Sequence, residues 1–322
     1  MNSPRLHLAD TLDSLPPEWP DDPLPAIQSA IRETRQKVAV LDDDPTGAQT
    51  VHDLPELTDW SVEMLVEELQ NDLPTFYILT NARAMPVSQA MALNAEISRN
   101  LLQASLHTGR EPVIVNRSDS TLRGHFPEEL DAIVEATGQN FDAWIFIPFF
   151  FEGGRYTIND VHYVAEGDSL VPAGETEFAR DSAFGFRASN LKEWVEEKTR
   201  GRVKASDVVS ISIDDIRQGG PQRVTERLVE LSGGRVCFVN AASMRDLEVF
   251  VLGLIEAEKQ GKKFLFRTAA SFVRARSGQS SHPLLAKKDM VASDEGGALV
   301  VVGSHVPRTT GQLQALLAQP GS

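Results

Sequence analysis

Cysteine is almost absent from this 322-residue chain, where Cys237 stands alone. An internal disulfide is therefore excluded, as is a zinc site built on thiolates. Cys237 lies in the apolar run Arg235–Val239 and reads as an inert core residue. Long apolar runs are missing too. No stretch reaches the ~18 apolar residues that span a bilayer, and the first thirty residues carry prolines and carboxylates where a signal peptide needs a basic end. These absences point to a soluble, cytoplasmic protein. Positive charge is in deficit: 31 Lys and Arg face 46 Asp and Glu, a formal charge of −15. Such a field repels phosphate backbones and anionic lipids, which argues against nucleic-acid and membrane partners. It still allows a local basic pocket for one small anion. Two familiar phosphate-binding loops are absent as well, Gly-x-x-x-x-Gly-Lys-Ser/Thr and Gly-x-Gly-x-x-Gly after a strand.

What is present is globular. A hydrophobic fraction of 41% and a charged fraction of 24% support a sizeable core, enough for two domains or one large α/β domain. Five prolines between Pro16 and Pro25 mark residues 1–34 as an arm, extended on a surface or without order. From residue 37, short β-branched runs alternate with amphipathic ones. The spacing predicts strands at Lys37–Asp42, Thr75–Thr80, Pro112–Asn116, Ala143–Pro148, Val208–Ile213, Arg235–Val239 and Lys263–Arg267. Helices are predicted over Pro86–His107, from Pro127 to Gly138 and between Pro221 and Gly233. This alternation predicts an α/β fold with a mostly parallel, Rossmann-like sheet covered by helices on both faces. Residues 149–187 break the rhythm and read as a β-rich insertion. The substrate-binding domain is thus expected over 35–273, a linker over 274–297, and one βα unit over 298–322. That unit, a strand Ala298–Val302 and a helix from about Thr309 to Ala318, reads as the beginning of a truncated nucleotide-binding domain.

In open parallel sheets, ligands bind beyond the carboxyl ends of strands. Four predicted strand ends carry dense polar chemistry. Asp42-Asp43-Asp44-Pro45-Thr46-Gly47 leaves a buried strand with three consecutive carboxylates, suited to hydroxyls, a metal or a phosphoryl group, or to a solvated turn. Thr80-Asn81-Ala82-Arg83 is either a helix cap or a second piece of the site. Arg117-Ser118-Asp119-Ser120-Thr121-Leu122-Arg123-Gly124 offers guanidinium forks that match a carboxylate or phosphate, with a salt-bridged turn as the bland alternative. Arg267-Thr268 ends a fourth strand, and the insertion adds Arg155, Asp160 and His162. A lone histidine is more often structural, so His162 receives no catalytic role. The composition suits a small polyhydroxy acid. A rival reading takes Asp42-x-Asp44-x-Thr46 as the first motif of a haloacid-dehalogenase-type, Mg²⁺-dependent phosphatase, with Leu79-Thr80-Asn81 as the second motif and Lys204 and Asp214-Asp215 completing it.

Taken in order, Leu41–Ala48, Thr80–Arg83, Arg117–Gly124, Gly153–Tyr163 and Val302–His305 resemble the motifs of the four-carbon acid sugar kinase family over roughly residues 37–305. The resemblance implies ATP-dependent phosphorylation of threonate, erythronate or 3-oxo-tetronate in a cleft between an N-terminal substrate domain and a C-terminal nucleotide domain. It implies that Asp43 and Asp44 contact the hydroxyls of the acid, one of them acting as base. Thr46, Asn81, Arg83, Arg117, Asp119, Ser120, Arg123, Arg155 and Arg267 would bind substrate, the arginines clamping its carboxylate, and Ser304 would contact ATP. ATP and Mg²⁺ would arrive through the C-terminal domain, since the family's later Gly-rich segments have no counterpart before Ser322; no metal site is expected in this chain itself. A non-catalytic sugar-acid binding module is the other reading, and a homo-oligomer is compatible with either.

Overall fold

The structure, a computed structural model, describes residues 3–283, 286, 289, 299–303 and 307–319. Its strands are β1 (Leu6–His7), β2 (Val38–Asp42), β3 (Glu56–Leu57), β4 (Thr75–Leu79), β5 (Val113–Arg117), β6 (Ala143–Ile147), β7 (Arg155–Ile158), β8 (Val161–Glu166), β9 (Ser169–Pro172), β10 (Val209–Ile211), β11 (Arg235–Val239) and β12 (Phe264–Thr268). The seven strands expected between residues 37 and 267 form, and all seven share one parallel sheet. Its order is β10-β11-β6-β12-β5-β2-β4-β3.

Side chains alternate across a strand, so a sheet covered on both faces sends odd and even residues into different cores. Here Val38, Val40, Val115, Ile145, Cys237 and Val239 join one hydrophobic cluster, while Ala39, Leu41, Ile114, Phe146, Phe238 and Leu265 join the other. Helix Val87–Thr108 covers the second face through Ile97, Leu101 and Ala104, and ends on Gly109 in the left-handed region that glycine adopts without strain. Helix Met244–Lys259 covers the first face. The α/β class expected from the alternation is the one observed.

The expected insertion is a small antiparallel sheet, β1-β9-β8-β7. It is anchored to the main sheet just past β11, where Thr157 and Ala241 exchange backbone hydrogen bonds of 3.0 Å.

The N-terminal segment differs from expectation. It contributes β1, and its last eleven residues, Leu24–Thr34, form a helix that buries Ile27 completely. Pro25 sits in the first turn of that helix, where its missing N–H costs nothing. Of the prolines ahead of it, Pro17 and Pro20 lie on the surface and Pro23 is buried, and Arg217 Nη1 donates to the Pro16 carbonyl at 2.7 Å. Trp19 is laid over Gly220, so closely that a Cβ there would come within 2.4 Å of its ring.

The chain divides into two compact units after Ser280. Helix Ala270–Arg276 therefore occupies the start of the segment expected to be a linker, and buried Arg276 ties it down through Gln36 (2.5 Å) and Glu258 (2.7 Å). In the second unit, helix Pro307–Leu317 forms close to the predicted position. Leu299–Gly303 carries no strand, which is what a lone strand without a partner does. Ala298 and Ser304 lie outside the described residues.

Candidate active site

β12, β5, β2 and β4 are adjacent in the sheet, so the four polar strand ends meet at one carboxyl edge. The centre of this edge is the Asp42–Asp44 run, where Asp42 is paired with Arg117 while Asp43 and Asp44 share Arg83.

Asp42 closes β2 and is fully buried. Its Oδ1 accepts from Arg117 Nη1 and from the backbone N–H of Asp44, both at 3.1 Å. Burial pushes this carboxyl up to about 7 against the pull of Arg117. Its Oδ2 faces Gly47, where a Cβ would sit 1.4 Å away, so only glycine closes this turn. Asp43 is likewise buried and receives a fork from Arg83, Nε at 3.1 Å and Nη2 at 2.5 Å, plus the Ser118 hydroxyl at 2.9 Å. Asp44 is more open. It accepts from Arg83 Nη1 (2.6 Å) and from the backbone and hydroxyl of Thr46 (2.8 and 2.6 Å). Burial raises its pKa, but Thr46 and Arg83 outweigh that and hold it below the usual carboxylate range.

The β5 end adds a second knot. Asp119 takes Arg123 Nε at 2.8 Å and the Thr121 hydroxyl, with Arg83 Nη1 at 3.8 Å. Burial pushes Asp119 up, yet the two guanidiniums and Thr121 hold it at about 2. Arg123 also lies 3.6 Å from Asp181 and stacks over Phe178. Arg267, buried at the end of β12, donates to Asn116 Oδ1 (3.1 Å) and the Arg123 carbonyl (2.9 Å), and lies 3.7 Å from Glu129.

Thus Asp43, Asp44, Arg83, Arg117, Asp119, Arg123 and Arg267 are all brought together. Thr46 and Asn81 stand at the exposed rim, Asn81 in the left-handed region with φ 51°. Ser120 sits in the same loop, its carbonyl accepting from His162 Nε2 at 2.7 Å. That bond puts the proton on Nε2, and Nδ1 accepts from the Thr157 hydroxyl at 3.0 Å. Full burial lowers His162 to about 4, so it is neutral and structural. Arg155 lies across Phe178 and donates to the Gly153 carbonyl. Ser304 falls outside the described residues.

The expected arginine clamp is altered by this geometry. Arg117 and Arg267 are buried behind the site, and their charges are met by Asp42 and Glu129. They lie in the floor of this edge, each paired with a carboxylate. Spacing could not show this, because pairing partners so far apart in sequence are set by strand order. Glu129 and Asp181 are further site residues that sequence reasoning passed over. Glu129 lies in the first turn of a helix, where an acid reads as an ordinary response to the helix dipole.

The phosphatase reading fails on the same geometry. Asp42 is too enclosed to attack a phosphate. Asp215 is engaged by Ser212 in a helix cap beside β10, five strand spacings from β2, or roughly 24 Å. Among the described residues, no group of three His, Cys, Asp or Glu side chains is arranged to hold a metal ion.

Residues 38–276 match the family model of a sugar-binding N-terminal domain. The chain belongs to this family, the N-terminal module of four-carbon acid sugar kinases. It is 24% identical over 226 residues to a D-erythronate kinase of Heliobacterium modesticaldum, covering 67% of this chain and 47% of the relative. Two solved structures share the fold. A Haemophilus influenzae protein superposes with a TM-score of 0.53 at 20% identity, covering 75% of this chain and 55% of its own. A domain of unknown function from Bordetella bronchiseptica, a domain-swapped dimer with bound citrate, gives 0.55 at 20% identity, covering 74% and 55%. The chain spans about half the length of these relatives.

Proposed function

We propose that this chain supplies the substrate-binding domain of an ATP-dependent kinase for a four-carbon sugar acid of the erythronate, threonate or 3-oxo-tetronate type. The observation that carries the reading is the Asp43–Arg83–Asp44 arrangement at the end of β2. Arg83 is fixed by its fork on Asp43, and it in turn fixes Asp44. Phosphoryl transfer asks the protein mainly for positioning and charge stabilisation, and a fixed carboxylate facing solvent supplies the first. The Asp43 side chain is 2% exposed and that of Asp44 is 25%, which supports a division of roles in which Asp43 anchors and Asp44 meets the hydroxyl. Asp44 is held ionised, so it accepts the hydroxyl's hydrogen bond and takes its proton as the new P–O bond forms. Arg83 and Arg123, the more open of the arginines, border the same surface. ATP with Mg²⁺, bound by the family's C-terminal domain, supplies the phosphoryl group, with Ser304 as its proposed contact in this chain.

Calorimetry with D-erythronate, D-threonate and 3-oxo-tetronate tests the reading. At least one is expected to bind with a Kd below millimolar, and Asp44→Asn to weaken it tenfold or more. Failure of all three to bind the parent chain sinks the assignment. ATP consumption by the full-length natural protein in the presence of the bound acid separates a kinase from a binding module. The Bordetella relative's dimer also supports a homo-oligomer here, which light scattering on the purified chain would check.

A further inference from the structure

The acid end of a tetronate needs a cation whose charge is not already met, and the strand ends do not offer one. Arg83 has Asp43, Asp44 and Asp119 around it, Arg117 has Asp42, Arg123 has Asp119 and Asp181, and Arg267 has Glu129. Beside them opens a cleft of about 670 Å³ whose lining includes Arg83 and Gly124, the cations Lys198 and Arg200, and the carboxylates Glu128 and Glu197. Gly124 is also the residue whose missing Cβ lets Ser118, Arg267 and Asp43 close up, so this cleft shares a wall with the site.

Lys198 is the unusual member of that lining. Its ammonium is partly buried and donates to the Phe184 carbonyl at 3.4 Å. Among the described residues it has no carboxylate within 4.0 Å. Glu197, its neighbour in sequence, accepts from the N–H groups of Arg187 and Ala188, and with Glu128 and Asp181 it acts on the ammonium only from beyond ion-pair distance. Arg200, two residues on, is exposed, and no carboxylate of the described residues pairs with it either. A partly buried cation without an ion pair of its own is stabilised by an anion that comes into direct contact with it. Burial, reinforced by Arg267, lowers the Lys198 pKa, the direction expected of an ammonium waiting for an anion.

We infer that Lys198, supported by Arg200, seats the carboxylate of the substrate in this cleft, leaving its hydroxyls for Asp44. The inference rests on the sugar-acid reading above, and it adds a residue pair outside all of the motifs that led to that reading. A carboxylate here and a hydroxyl at Asp44 would set the length of acid that the site accepts.

The test is calorimetry of D-erythronate, its uncharged amide and citrate on the parent chain, Lys198→Gln, Lys198→Arg and Arg200→Gln, with Arg32→Gln at an exposed position of helix Leu24–Thr34 as a remote control. The expected result is a tenfold or greater loss of erythronate and citrate affinity in Lys198→Gln, partial rescue in Lys198→Arg, a smaller loss in Arg200→Gln and none in Arg32→Gln. Binding of the amide should be the same in the parent and Lys198→Gln. Unchanged erythronate affinity in Lys198→Gln overturns the carboxylate seat and leaves the sugar-acid reading intact. Citrate binding that depends on Lys198, without binding of any tetronate, keeps the seat and overturns the sugar-acid reading. Failure of both acids to bind the parent overturns both. If Lys198→Gln melts early, Arg200→Gln at its exposed position carries the same comparison.

Discussion

Glu129 and Asp42 are carboxyls kept from water on either side of Asp43. Burial pushes both up to about 7, with Arg267 and Arg117 pulling against it. A carboxyl whose pKa is raised on folding binds its proton more tightly in the native state, so stability falls as pH rises from the unfolded to the folded value. For Glu129 that window runs from its ordinary value of 4.5 to about 7. Glu129→Gln removes this group's share of the slope and keeps that of Asp42. The parent's melting temperature relative to the Gln variant is therefore expected to fall between pH 5 and pH 7 and to level off above pH 8. A constant difference across that range would show that Glu129 is not raised. At Gly47 the expectation is steric. Gly47→Ala puts a methyl on Asp42 Oδ2 and is expected to cost about 1–3 kcal/mol or more, read from the midpoint of chemical denaturation.

At the scale of elements, the sequence showed most where burial is two-sided. Val38–Asp42 and its partners are continuous apolar runs because both faces are covered, and such runs stand out against their polar flanks. β3 was not legible, since two residues on a sheet edge leave no period to read. The arm misled because five prolines close together read as extended chain, although Pro25, like Pro221, sits where proline opens a helix. In the site, residue types were legible and pairings were not. Four arginines after apolar strands suggested a cationic floor, whereas folding brings each beside a carboxylate from another element. The β-rich insertion shows how one such contact works. His162 of β8 donates to Ser120 and so pins the Arg117–Gly124 loop from above. His162→Ala is expected to lose about 2–4 kcal/mol of stability from the cavity and the lost hydrogen bonds, and to speed amide exchange in residues 118–124 more than in β12. Uniform exchange across both segments would mean that the insertion does not hold the loop.

Across the whole molecule, the site residues run from Asp42 to Arg267, yet they share one edge because of the order in which the strands sit. β12 is last of the sheet's strands in sequence and central in space, wedged between β6 and β5. That position bears on synthesis. While the ribosome is still short of residue 264, the growing chain holds two half-sheets, each with an unpaired parallel edge made of buried, apolar strand. Such edges recruit other chains. The domain therefore completes itself only at its final strand, and that same event lays Arg267 beneath Arg123 and closes the floor of the site. A chain stopped at Gln260 is expected to express as aggregate without a cooperative melt, whereas one carried through Ser280 should melt cooperatively. A soluble, cooperatively folding product ending at Gln260 would contradict this order of assembly. For this protein, waiting for β12 makes the nascent chain a natural client for a holding chaperone.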